Sequence, residues 1–126
     1  SLYIKNNRLN YVLNKGGKKE VHLISDIEVS VGRTSIRQEL RLNKVSREAE
    51  VVIYVNDKKA GNLKIENYVD WVGNSFNTIG ANRYVSVTED YKSPFVFQGD
   101  IEYVRIRTTD STVRSEELIN DFMAID

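Results

Sequence analysis

Apolar and polar residues alternate along most of this chain, and the alternation is broken at short polar turns, so the pattern predicts β-strands rather than helices. Leu2 to Ile4 and Leu9 to Leu13 are two apolar-rich runs joined by Asn6-Asn7. Asparagine tolerates positive φ, which predicts a tight hairpin. Lys15-Gly16-Gly17-Lys18 is a polar glycine turn leading to Val21-His22-Leu23-Ile24, and Asp26 to Val31 alternates as a further strand. Thr34 to Leu42 carries Ile36, Leu40 and Leu42 on even positions and charges on odd ones, a strand with one wet face in which Gln38 is the polar member of the inner row.

Asn43 to Glu50 is a charged connection without periodicity. Val51 to Val55 is a nearly continuous apolar run, expected to lie centrally and to be buried on both faces. Asn56-Asp57 reverses the chain into Ala60 to Ile65. Two long links follow, 66–75 and 82–94, and they hold the candidate exposed aromatics. Phe95 and Phe97 then alternate before Gln98-Gly99-Asp100 turns the chain toward Ile101 to Ile106, a predicted final hairpin with Pro94 at the start of an edge strand. After Thr108, Ser115-Glu116-Glu117 offers an N-cap and first-turn acids, and Leu118, Ile119, Phe122 and Ile125 keep helical spacing. The expected fold is all-β, an antiparallel β-sandwich of strands over 1–109 closed by one short terminal helix over 112–126.

Length and composition fit this reading: 126 residues, 40% hydrophobic and 29% charged, are enough for one domain with one core. Lysine plus arginine and aspartate plus glutamate each total 18, so no net field favours nucleic acid or an anionic membrane. The absence of cysteine excludes disulfides, thiolate metal sites and a cysteine nucleophile. No apolar run approaches the roughly 20 residues that cross a bilayer, so a soluble chain is expected. Ser1 followed at once by the strand-like LYI suggests a domain excised from a longer chain, with an open sheet edge where upstream residues would pair.

The residues from Val51 onward resemble a known family, the concanavalin A-like lectin and glucanase sandwiches, and within it the C-terminal accessory domain of long bacterial arylsulfatases. There, a strand like VxLYVDGKKVG precedes a segment like DVGxDxGxPVSDDYxxPFxFTGTIxxVxI; here Val51 to Gly61 and Thr78 to Ile106 stand in the same order. Gly80, Val87, Asp90, Tyr91, Pro94, Phe95, Phe97 and Gly99 fall on matching positions without a gap, and SLYIKNNRLNY is similar to the family's opening SLYVKDGRLxY. The terminal SEELINDF resembles the end of laminin G-like and sialidase lectin domains. Asn56-Asp57 replaces Asp-Gly, Asn82 replaces an aspartate, and Tyr84 replaces a glycine, a change that predicts a different loop path at Tyr84.

The resemblance implies a jelly-roll sandwich serving as a non-catalytic accessory domain of a sulfatase-like hydrolase. Its expected partners are the catalytic domain of its own parent chain and further copies in a homo-oligomer. The chemistry of a sulfatase is missing here, because its Cys or Ser stands two before a proline and Pro94 is preceded at that spacing by Lys92. The alternative is a carbohydrate-binding module, for which the cell envelope or secretion is the expected location.

Four aromatics, Tyr68, Trp71, Tyr84 and Tyr91, are the candidates for stacking on a sugar face; burial in the core or against a neighbouring domain is the competing role. Asn82, Glu89 and Asp90 supply hard oxygen donors suited to calcium, against a plain loop in which Asp90 bonds nearby amides; no other cofactor is expected. Asp26 with Glu28, and Asp100 with Glu102, have the alternate spacing at which glycosidases of this fold place two carboxylates, but the family's Glu-x-Asp-x-x-Glu is absent and a solvated strand face is expected. His22 alternates outward from Val21 and Leu23 with no acidic or nucleophilic neighbour in sequence, which predicts a surface histidine rather than a base.

Overall fold

The computed structural model describes residues 1–14, 20–68, 79–81 and 87–107. The chain divides into two compact units, Ser1–Val72 and Gly73–Asp126. The first unit holds the strands β1 (Leu2–Lys5), β2 (Arg8–Asn14), β3 (Glu20–Glu28), β4 (Ile36–Leu42), β5 (Ala49–Val55) and β6 (Lys58–Ile65). They form two three-stranded antiparallel sheets, ordered β1-β2-β3 and β4-β5-β6. The described residues are therefore all-β, and none of them forms a helix long and apolar enough to cross a membrane.

The turns explain why these hairpins close where they do. Asn6 and Asn7 have φ of 53° and 59°, and Asn56 and Asp57 have φ of 50° and 64°. Left-handed backbone at both central positions gives the turn whose twist matches that of the flanking strands, and Asn and Asp adopt it at least cost after glycine. The β4–β5 connection is longer and is organised by one side chain: Asn43 Oδ1 accepts from the amides of Val45 (3.0 Å) and Ser46 (3.2 Å). The Asn43 amide in turn donates to the Glu48 carbonyl at 2.9 Å.

β5 is the central strand of its sheet, as its composition predicts. Its odd positions Ala49, Val51, Ile53 and Val55 join Leu9 and Tyr11 of β2 and Ala60 and Ile65 of β6 in one buried cluster, so both sheets contribute to one core. Val52 points to the opposite face and is equally buried at 3% exposure, flanked across the sheet by Glu39 and Asn62, whose apolar stems and those of their neighbours can cover it. Each such apolar side chain removed from water contributes roughly 1.5–3 kcal/mol. β6 meets the other sheet through Gly61, where an added Cβ would stand 3.1 Å from Leu23 Cδ1 and 3.7 Å from the Ile24 carbonyl oxygen.

Two expectations are corrected here. The runs 21–24 and 26–31 are one strand ending at Glu28, because Ser25 bridges an irregularity that would otherwise divide them. Ser25, Asp26 and Ile27 all oppose the single Leu9; the Leu9 amide donates to the Ser25 hydroxyl at 3.0 Å, and that hydroxyl donates to the Ile27 carbonyl at 2.7 Å. A side chain thus replaces the missing ladder bond at a bulge. Beyond it the chain leaves the sheet, and Val31 is fully exposed.

The second correction concerns the final hairpin. Residues 87–107, in the second unit, form turns and bends without a strand. Phe95 has φ of 39°, which ends any extended run through it. Its ring stacks on Tyr91, centroids 4.7 Å apart and planes 13° apart, an aromatic pairing that takes the place of cross-strand packing. The Phe97 amide donates to the Gly80 carbonyl at 2.6 Å. Pro94 accordingly lies in a turn rather than at the start of an edge strand. The predicted terminal helix over 112–126 and the glycine turn at 16–17 lie outside the described residues.

Candidate functional site

The sequence-named aromatics take different places. Tyr68 is half-buried at the margin of the core and is tied to Arg47 twice: its amide donates to the Arg47 carbonyl at 2.8 Å and its carbonyl accepts from Arg47 Nε at 3.1 Å. Tyr91, in the second unit, is buried at 6% exposure with its ring against Phe95. Trp71 and Tyr84 lie outside the described residues, as does Asn82. Glu89 is exposed; Asp90 is half-buried in a tight turn, where its amide donates to Thr88 Oγ1 at 3.1 Å. Among the described residues no three His, Asp or Glu side chains converge as metal ligands.

The carboxylate pairs are placed by the backbone. Asp26 and Glu28 are exposed on β3, with Glu28 3.7 Å from Arg8. Asp100 and Glu102 are exposed on a segment that is not a strand, so no sheet face holds them in register. His22 is exposed on the sheet face opposite Val21 and Leu23, as its alternation predicts, but two buried residues meet it there. Its Nε2 lies 3.0 Å from Asn10 Oδ1 and 3.4 Å from the Tyr3 hydroxyl. Asn10 Nδ2 donates to the Arg8 carbonyl at 2.9 Å, which turns its acceptor oxygen toward the ring and puts the shared hydrogen on Nε2. The imidazole is therefore a donor at this nitrogen, joining β1, β2 and β3 rather than drawing a proton from Tyr3.

In the other sheet, the face away from the core is a mixed-charge lattice. Register sets Arg37, Glu39 and Arg41 of β4 opposite Tyr54, Val52 and Glu50 of β5, and these opposite Lys59, Asn62 and Lys64 of β6. The Arg37 guanidinium lies 4.0 Å from the Tyr54 ring centroid. Glu39 accepts from Arg41 at 3.1 Å and lies 3.4 Å from both Arg37 Nε and the Tyr54 hydroxyl. Exposed pairs of this kind contribute about 0.2–1 kcal/mol each; they fix side-chain positions more than they stabilise the fold.

The core-side row of β4 is different, and it departs from the sequence reading in its burial. Leu42 packs at the margin of the core, but Ile36 and Leu40 are 37% and 41% exposed and Gln38 is exposed between them. β4 ends its sheet among the described residues, so the row that alternation assigns to the interior extends past the edge of the opposing sheet. The polar Gln38 within an otherwise aliphatic row was the signal for this. Deeper in the core, burial and then the neighbouring Tyr68 push the Tyr11 hydroxyl up to about 12.

Comparison with known proteins gives no match to this chain: no family model, no curated protein and no solved structure.

Proposed function

We propose that this chain is a non-catalytic accessory module of a sulfatase-like hydrolase, a concanavalin A-like sandwich of jelly-roll connection that packs on the catalytic domain of its parent or joins copies of it. The sandwich reading draws support from side chains of two antiparallel sheets meeting in one core. The accessory reading draws support from the sequence resemblance over 51–61 and 78–106. The observation that carries the assembly role is β4, whose aliphatic row stands in solvent beside an open strand edge. Polar groups elsewhere in this unit serve the fold: Ser25 completes a ladder, Asn10 and His22 fasten three strands, and Asn43 caps a loop. The proposed role requires no cofactor.

Deleting this segment from the full-length parent tests the reading. A lower melting temperature in calorimetry, or fewer copies per particle by light scattering, is the expected result; a parent with both unchanged would overturn it.

A further inference from the structure

We infer that β4 is where two copies of this chain join, strand against strand, about a two-fold axis at Gln38; this rests on the assembly role above and adds its partner and register. Four strands end a sheet among the described residues: β1, β3, β4 and β6. Protein sheets blunt their edges with short strands, bulges, prolines and charged side chains, lysine above all; the charges of β4, Arg37, Glu39 and Arg41, alternate in sign. β1 has only four residues, β3 is bulged at Ser25, and β6 is bulged at Ala60 and carries Lys58, Lys59 and Lys64. β4 runs seven residues, IRQELRL, in unbroken register with β5 and has no proline, glycine or lysine.

The backbone phase of β4 identifies which groups a partner would meet. The Asn56 amide donates to the Ser35 carbonyl and the Asn43 amide to the Glu48 carbonyl, pairs in the same register as Ile36↔Val55 and Leu42↔Ala49. Hydrogen-bonded pairs alternate along an antiparallel ladder, so the odd residues of β4 turn their amides and carbonyls to β5. Those of Ile36, Gln38, Leu40 and Leu42 face away from it, and among the described residues no hydrogen bond to them is found beyond the sheet. The side chains of these same four residues form the half-exposed aliphatic row.

A second copy satisfies these groups only where even residues oppose even residues, which leaves a two-fold axis at one residue of the strand. An axis at Arg37 sets Arg37 against itself. At Glu39, Glu39 meets itself and Arg37 meets Arg41. At Leu40, Ile36 meets Lys44 and Gln38 meets Leu42. At Gln38 the sequence is self-complementary: Ile36 opposes Leu40 of the second copy, Arg37 opposes Glu39, and the two Gln38 amides meet on the axis. Opposed apolar and opposite-charge pairs stabilise a sheet and like charges weaken it. The aliphatic side chains of Ile36 and Leu40 then cover one another on one face while the Arg37–Glu39 pairs form on the other.

Because the chain has no cysteine, Gln38→Cys places a single thiol on the axis. Directly opposed residues in a hydrogen-bonded pair have Cα atoms about 5.5 Å apart, inside the range a disulfide spans. Mild oxidation of the full chain is expected to give a covalent dimer from Gln38→Cys and far less from Leu40→Cys or from Val31→Cys on the exposed bend. In sedimentation, Arg37→Glu is expected to weaken dimerisation about tenfold or more, and adding Glu39→Arg to it to restore the affinity. A monomer at every concentration, equal cross-linking at 38 and 31, or a dimer indifferent to the charge exchange would each overturn the inference. A monomeric chain whose deletion still destabilises the parent defeats the second copy alone; a Gln38-linked dimer whose deletion leaves the parent unchanged defeats the accessory reading alone.

Discussion

β4 and β6 flank the same central strand, yet the sheet treats its two borders in opposite ways. β6 turns Ala60 and Ile65 into the core, brings Gly61 against Leu23 of the other sheet, and is interrupted by a bulge. β4 is regular, leaves Ile36 and Leu40 in water, and is held on its outer face by a guanidinium over a phenol ring and a carboxylate between two arginines. The difference follows from where the opposing sheet lies. A strand beneath that sheet stabilises through burial, which tolerates irregular backbone; a strand past its margin stabilises through ladder bonds to β5, which require regular backbone and leave the next ladder unfilled.

The contrast can be broken most directly by truncating one aliphatic residue on each border. Ile65→Ala on β6 should cost about 2–5 kcal/mol in denaturant unfolding, whereas Leu40→Ala on β4, in dilute protein where association does not contribute, should cost under about 1 kcal/mol; similar losses at both sites would remove the distinction. Gly61→Val is a smaller test of the same border. Its side chain meets Leu23 at close range, and overpacking of this kind costs about 1–3 kcal/mol, with an unchanged midpoint showing that the sheets are not in firm contact there.

Alkaline titration probes the core between the borders. A free tyrosine ionises near pH 10, while Tyr11 in the folded chain is pushed up to about 12. Between these values the unfolded chain has released its proton and the folded chain retains it. Stability is therefore complete below pH 10 and falls as pH rises through the window. Tyr11→Phe should flatten that decline relative to wild type when unfolding is followed by circular dichroism, and an identical slope in the variant would contradict the raised value. The smallest effect belongs to the outer lattice: Glu39→Gln should change stability by a few tenths of a kcal/mol, less still in high salt.

Much of the first unit was legible from the sequence because local chemistry and global packing agree there. Asn6-Asn7 and Asn56-Asp57 specify their turns by what their side chains permit at positive φ, and Val51 to Val55 declares a buried central strand by having so little polar surface. Ser25 was not legible as a ladder bridge, since a hydroxyl substitutes for a backbone group only once Leu9 is opposite it. The alternation from Phe95 to Ile106 suggested strands, but alternation records which side chains share a side, and the stacking of Phe95 on Tyr91 decides the matter through a contact between residues four apart in the chain. Of the proposed aromatic platform, Tyr68 and Tyr91 are drawn inward by partners that no spacing rule reveals, and Trp71 and Tyr84 lie outside the described residues. The alternation around His22 marks it as outward-facing, while Asn10, the residue that fixes its hydrogen, carries no such signal because it sits in an otherwise apolar strand.

Arg47 grips Tyr68 by carbonyl and guanidinium at once, so the bend leading into β5 and the chain leaving β6 share one fastening. A slide of either hairpin by one residue would carry its whole apolar row to the wrong side, and it could not begin without both of these bonds letting go. The pair acts as a frame check: the correct alignment of three strands is verified at a single point, in the loop whose Arg47 amide also donates to the Asn43 carbonyl just beyond β4 at 2.8 Å.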